Sequence, residues 1–278
     1  MEKGKSLDKE FPSIMDSAYK QYKRDLLRYK KANEIMTQEV FTITPEASMY
    51  QATKIMGEKH IGSLIVMKYE APVGIVTERD LLTRVLAIGK NLKKEKVKNI
   101  MSYPLISIGV TTKIKDAAKT MINKKSRLVV FDAGKLVGII TASDLIRSLP
   151  EIPETEAIVD HFMTKEVITM DEKTPINIIA QIMGEQRIGS VIITKKKNPV
   201  GIFTERDLLT TLLSNDKLLN SPVGEKASSP IITQPQGISI HKAAITMTLK
   251  HIRRLPIVKK EQIIGIITAR DLVEAYAK

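Results

Sequence analysis

The 278-residue sequence has no cysteine and no tryptophan, five phenylalanines and four histidines. Without cysteine there are no disulfides, thiolate-held zinc ions or iron–sulfur clusters, and a reducing cytoplasm is the expected setting. His60, His161, His241 and His251 never fall at the spacing of a ligand pair, which argues against a metal centre. Also missing are a phosphate-loop lysine motif, a G-x-S-x-G elbow and a separate pair of carboxylates placed for acid–base work. The expectation is a protein with no reaction of its own. No run approaches the roughly 18 apolar residues of a membrane span. The opening MEKGKSLDKE has no apolar core of the signal-peptide kind, so neither a span nor secretion is expected.

Positive charge is plentiful. Lys and Arg number 44 against 31 Asp and Glu, a formal net charge of +13. Such an excess favours anionic partners: nucleotides, nucleic acid or an acidic protein face. Part of it lies in AYKQYKRDLLRYKK, Ala18 to Lys31, where Tyr19, Tyr22, Leu26 and Tyr29 share one helical face and the remainder is mostly basic. This amphipathic helix either packs its apolar face on the rest of the chain or meets nucleic acid or a membrane surface.

The dominant feature is repetition. GIVTERDLLT (Gly74 to Thr83) returns as GIFTERDLLT (Gly201 to Thr210), and looser copies occur as GIITASD from Gly138 and GIITARD from Gly265. The four glycines are spaced 64, 63 and 64 residues apart, which marks a tandem array. Ile35 to Thr83 aligns without a gap on Phe162 to Thr210. The second and fourth copies resemble each other in MIN…SRLVV and MTL…RRLPI, so the order is A, B, A′, B′.

In each copy an extended apolar segment such as Val40 to Ile43 precedes a helix carrying Ala52, Ile55 and Met56 on one face. Two strands, SLIVM and PVGIVT, follow across a short polar turn, and a second helix starts at Glu78. The reading is α+β, four βαββα units. A unit of about 60 residues is marginal alone, so the units are expected to pair. The boundaries are residues 1–34 for the basic extension, 35–92 and 93–149 for the first two repeats, 150–158 for a linker, and 159–218 and 219–278 for the last two.

Thr-x-x-Asp at a helix start has two uses. It is a capping box, the Thr oxygen accepting from a first-turn N–H while the Asp favours the positive helix end. The same geometry suits a nucleotide: first-turn N–H groups can meet phosphate, and a carboxylate can accept from two vicinal ribose hydroxyls. Arg79, Arg206 and Arg270 beside the Asp either add charge at that mouth or stand in solvent, and the second repeat has Ser143 instead.

The βαββα order, the M-T-x-x-V-x-T entry (Met36 to Thr42, Met163 to Thr169), the IGSLIV and RLPIV second strands and the closing Gly-apolar-x-Thr-x-x-Asp together resemble CBS domains. The resemblance covers about Ile35 to Lys278. It implies that consecutive repeats pair as Bateman modules and that two modules form a disk, as in the γ subunit of AMP-activated protein kinase. It also implies a regulatory sensor of AMP, ADP or ATP, or of S-adenosylmethionine, which acts through a regulated partner protein and requires no cofactor. The disk would be a single monomeric chain or part of a homodimer.

The resemblance further implies four clefts, each with a Thr and Asp from one repeat and an adenine pocket from its partner. Thr77, Arg79 and Asp80 would face Leu105, Ser126 and Arg127, and Thr141, Ser143 and Asp144 would face Thr37, Thr42, Ile61, Gly62 and Ser63. In the second module Thr204, Arg206 and Asp207 would face Ile231, Arg253 and Arg254, and Thr268, Arg270 and Asp271 would face Thr164, Thr169, Ile188, Gly189 and Ser190. Val129 departs from the pattern where the fourth repeat has Pro256, and the segment before Arg127 is one residue shorter than that before Arg254. Three guanidiniums, Arg206, Arg253 and Arg254, make the Asp207 cleft the expected strongest phosphate site, unless they pair with nearby carboxylates or point into solvent.

Overall fold

The computed structural model of the chain describes residues 30–148, 157–214 and 216–278. Nearly all of the basic Ala18–Lys31 segment and of the linker lie outside the described residues. Each repeat forms one three-stranded sheet: β1 (Thr42–Ile43), β2 (Ser63–Lys68) and β3 (Ala71–Thr77) in the first; β4 (Ser107–Gly109), β5 (Leu128–Asp132) and β6 (Lys135–Ile140) in the second. The third repeat has β7 (Thr169–Asp171), β8 (Ser190–Lys195) and β9 (Asn198–Thr204), and the fourth β10 (Gln234–Pro235), β11 (Arg254–Lys259) and β12 (Gln262–Thr268). In every sheet the first strand runs parallel to the second and the second antiparallel to the third. The architecture is α+β, as expected, although the extended segment from Val40 shortens to a two-residue strand.

The apolar run of β2 shows why the strands do not alternate. Leu64 and Val66 enter a helical core while Ile65, between them, enters a separate core between sheets. A strand buried on both faces reads as continuous apolar sequence. The helices are placed by local signals: Ser48 caps Met49–Glu58, its side chain accepting from Gln51 N–H while the Gln51 side chain accepts from Ser48 N–H. Ala52 and Met56 of that helix are buried, and Ile55 packs at the edge of the same core.

Paired repeats exchange their entry segments. Thr37, in the entry segment of the first repeat, bridges Ile139 on β6, and Ser102, in that of the second, bridges Ile75 on β3. The second module repeats this with Thr164 on Ile266 and Ser228 on Ile202. The repeated glycine permits the overlap, because a Cβ at Gly74 would stand 3.1 Å from the Ser102 carbonyl and one at Gly201 2.9 Å from that of Ser228. Ile65, Ile75, Val129 and Ile139 then form the core between the first two sheets.

Helices join the modules. The first and third repeats share one core, with helix Met49–Glu58 against Glu205–Ser214 and helix Ile176–Glu185 against the Leu82–Leu86 turn. The second and fourth share another, with Ile114–Lys124 against Ala269–Ala277 and Ala142–Ser148 against Ile240–Leu249. Sheets pair within a module and helices pair between modules, which closes a four-repeat disk.

Candidate functional site

All four Thr-x-x-Asp motifs form caps. Thr77, Thr141, Thr204 and Thr268 each donate a backbone N–H and a hydroxyl to Oδ2 of Asp80, Asp144, Asp207 and Asp271, at 2.6 to 3.0 Å. The Thr hydroxyl also accepts from the Asp N–H in three repeats, whereas in the second the Asp144 N–H donates to the Thr141 carbonyl. The Thr contacts occupy one carboxylate oxygen, and the other decides what the Asp can still bind.

The fate of Oδ1 differs among the four. In Asp80 it stands 3.5 Å from Arg84 Nε. In Asp144 it accepts from Thr37 at 3.3 Å and pairs closely with Arg147. Asp207 Oδ1 accepts from the Ser228 hydroxyl at 3.1 Å. Asp271 Oδ1 accepts no hydrogen bond among the described residues. Burial raises the pKa of Asp80, Asp207 and Asp271 above the ordinary 3.8, against the pull of the Thr hydrogen bonds. These carboxylates gain from any further donor that enters.

Two cavities open beside the caps. One, of about 380 Å³, brings Thr37, Ile61, Gly62 and Ser63 together with Thr141, Ser143 and Asp144. The other, of about 550 Å³, brings Thr164, Ile188, Gly189 and Ser190 together with Thr268 and Arg270, and continues to Thr77, Arg79, Asp80, Ser126 and Arg127. It merges two clefts expected to be separate.

Between the cavities lies a cluster of ions. Glu78, with only 3% of its side chain exposed, accepts from Arg206 Nε at 3.1 Å and from Arg253 Nη2 at 3.3 Å. Glu205 accepts from Arg79 Nε at 2.9 Å and Arg254 Nη2 at 2.8 Å. Arg127 donates to the Gly62 carbonyl at 3.0 Å, and Arg206 also reaches the His60 carbonyl at 2.7 Å. Burial works to raise the Glu205 pKa, but Arg254 and Arg79 outweigh it and hold the carboxyl below 4.5. Burial pulls Arg127 and Arg254 down, opposed by the same glutamates. Gly62 and Gly189 keep the space open: a Cβ on Gly62 would lie 2.8 Å from Glu78 Oε2, and one on Gly189 would overlap the Arg254 guanidinium.

Four segments, residues 32–87, 97–151, 159–214 and 223–278, match the CBS domain family. The chain belongs to that family. Its 272-residue match to the uncharacterized protein MJ1404 of Methanocaldococcus jannaschii is 30% identical and spans 91% of this chain but 63% of the relative. Among solved structures it superposes on MJ1225 of the same organism, described as a proposed archaeal homolog of γ-AMPK, with a TM-score of 0.76 and 23% identity over 89% of this chain and all of the other. An uncharacterized conserved protein from Pyrococcus horikoshii gives 0.62 and 25% identity over 88% and 99%.

Within this CBS disk most residues anticipated around Asp144 line the first cavity with it, and Thr164, Ile188, Gly189, Ser190, Thr268 and Arg270 line the second, whereas Asp271, Asp207 and Thr204 line neither. Thr42 and Thr169 are exposed on the first strands and line neither cavity. Leu105 packs on the core between sheets, and Ile231 is half-buried in a loop. The three arginines assigned to the Asp207 cleft take the carboxylate alternative: Arg206 and Arg253 turn to Glu78, and Arg254 to Glu205. The two glutamates were missed by motif reading. Their signal is an asymmetry within the repeats, since TER occupies the first and third copies where the second and fourth have Ala142 and Ala269.

Proposed function

We propose that the chain is a regulatory protein that binds adenine nucleotide (AMP, ADP or ATP) in its inter-repeat clefts and passes the bound state to a partner protein. The observation that carries the reading is Asp271. Its Oδ2 is held by the Thr268 cap and its Oδ1 accepts no hydrogen bond among the described residues, while Thr268 and Arg270 of the same motif line a cavity with Ile188, Ile266 and Ser190. Ribose hydroxyls would donate to Oδ1, the purine would lie against the isoleucines, and phosphate would reach Arg79, Arg254 or Arg270. A cavity of about 550 Å³ falls within the usual range for a small-molecule site. The fold shared with MJ1225 agrees with a sensor role.

A thermal scan tests it. Ligand at about 100 times its dissociation constant stabilises by roughly 2.7 kcal/mol. No shift with millimolar AMP, ADP, ATP or S-adenosylmethionine would remove the proposal. The net charge of +13 favours a second reading, nucleic-acid binding. Salt separates the two, because affinity for an extended polyanion falls steeply with ionic strength, about as the 0.7 to 0.9 power per phosphate contacted, whereas a cleft-bound mononucleotide depends on it far less.

A further inference from the structure

The ion cluster carries a role beyond structural pairing. Glu78 and Glu205 each take the first helical position after a capping threonine, and their N–H groups donate to the Gly62 and Gly189 carbonyls. Glu78 and Glu205 face Arg79, Arg127, Arg206, Arg253 and Arg254, and from their caps Asp80 acts on Arg127 and Asp207 on Arg254, so five guanidiniums meet four carboxylates and the cluster keeps an excess of positive charge. Arg127 and Arg253 line both cavities, so an anion entering either one meets guanidiniums already engaged by, or facing, glutamate. Three of the four pairs cross between modules: Arg79 to Glu205, and Arg206 and Arg253 to Glu78.

We propose that Glu78 and Glu205 are displaceable occupants of a polyphosphate site: the phosphates of an entering ligand take over the guanidiniums, and the two carboxylates give way. The proposal rests on the nucleotide reading for the identity of the natural ligand but not for the exchange itself. A carboxylate offers one negative charge and two acceptor oxygens, whereas a terminal phosphate offers nearly two charges and three oxygens. Neutral or cationic ligands cannot win this exchange, and a chain of phosphates that meets both glutamate sites wins it twice. The glutamates thereby set a threshold of ligand charge. The exchange also replaces direct ties between the modules with ties through the ligand, which gives the bound state a route to the disk interface.

The test uses the full chain and two probes without ribose or base, inorganic tripolyphosphate and orthophosphate. Calorimetry on Glu78→Gln with Glu205→Gln should show tripolyphosphate bound at least tenfold more tightly than by wild type, because an amide holds guanidinium less strongly than a carboxylate. Unchanged, weaker or undetectable tripolyphosphate binding in the variant overturns the proposal. In the wild-type protein, which needs no variant to fold, the side-chain carboxyl 13C resonances of Glu78 and Glu205 should move as tripolyphosphate is added. Binding that leaves both resonances in place overturns it equally. Tighter tripolyphosphate binding in a protein that ignores adenine nucleotides would uphold the exchange while removing the nucleotide reading.

Discussion

Replacing Asp271 by Ala separates the two uses of the cap. The carboxylate loses two hydrogen bonds through Oδ2, from the Thr268 N–H and hydroxyl, both at 2.8 Å. Thr268 remains the N-cap, and losing the acid in the first turn costs roughly 0.3–2 kcal/mol. Burial already disfavours the charged form of this group, as its raised pKa shows, so the net loss should fall below the upper end, at about 1 kcal/mol. The ligand loses more. A charged acceptor for ribose hydroxyls contributes about 1.5–3 kcal/mol, a factor of roughly 10 to 150 in affinity. Asp207→Ala is the internal control, because its Oδ1 already accepts from Ser228 and the same truncation should change affinity by less than about threefold. Calorimetry with AMP and a ligand-free thermal scan of both variants decide the matter. Wild-type affinity in Asp271→Ala, or a larger loss in Asp207→Ala, would refute the assignment of ribose to the open oxygen.

The arginines should differ in their effect on stability. Each glutamate keeps a second arginine when one is removed, Arg79 for Glu205 and Arg206 for Glu78, so the contrast rests on exposure: Arg254→Ala, at 15% exposed, should cost about 1.5–3 kcal/mol, against about 1 kcal/mol or less for Arg253→Ala, at 36%; chemical denaturation reads the difference. The same pair replaced together should weaken ATP more than AMP in calorimetry, and an unchanged ratio would detach these arginines from phosphate. Gly184→Ala tests the disk: an added Cβ would overlap that of Ala87 across the interface of the first and third repeats, so the melting temperature should fall, whereas helix propensity alone would raise it. The depressed pKa of Glu205 gives a pH test. Its stabilisation is complete above the ordinary 4.5 and is lost as pH falls through the lower folded value, so the melting-temperature gap between wild type and Glu205→Gln should be widest above pH 4.5 and shrink below it.

By itself the sequence determined whatever depends on neighbours in the chain. Four glycine-led phrases at regular spacing gave the repeat number and order, and the apolar runs and turns gave βαββα. Thr-x-x-Asp gave four caps because its two partners sit three residues apart and need only a helix start to meet. The pairing of consecutive repeats followed from family resemblance, and with it most of the residues around Asp144; the exchange of entry segments onto partner strands is a finding of the structure. Tertiary structure alone decided the remaining oxygen of each Asp. Arg84 and Arg147 lie within the same helical turns as Asp80 and Asp144, yet nothing in those spacings says which way a long side chain turns. It also decided the charges. Arg79 and Glu205 are 126 residues apart in sequence, and Glu78 and Arg253 are 175 apart. Such pairs exist only where the packing of first on third and second on fourth repeats brings helix starts together in a space too dry for a lone carboxylate, and no local pattern encodes that distance.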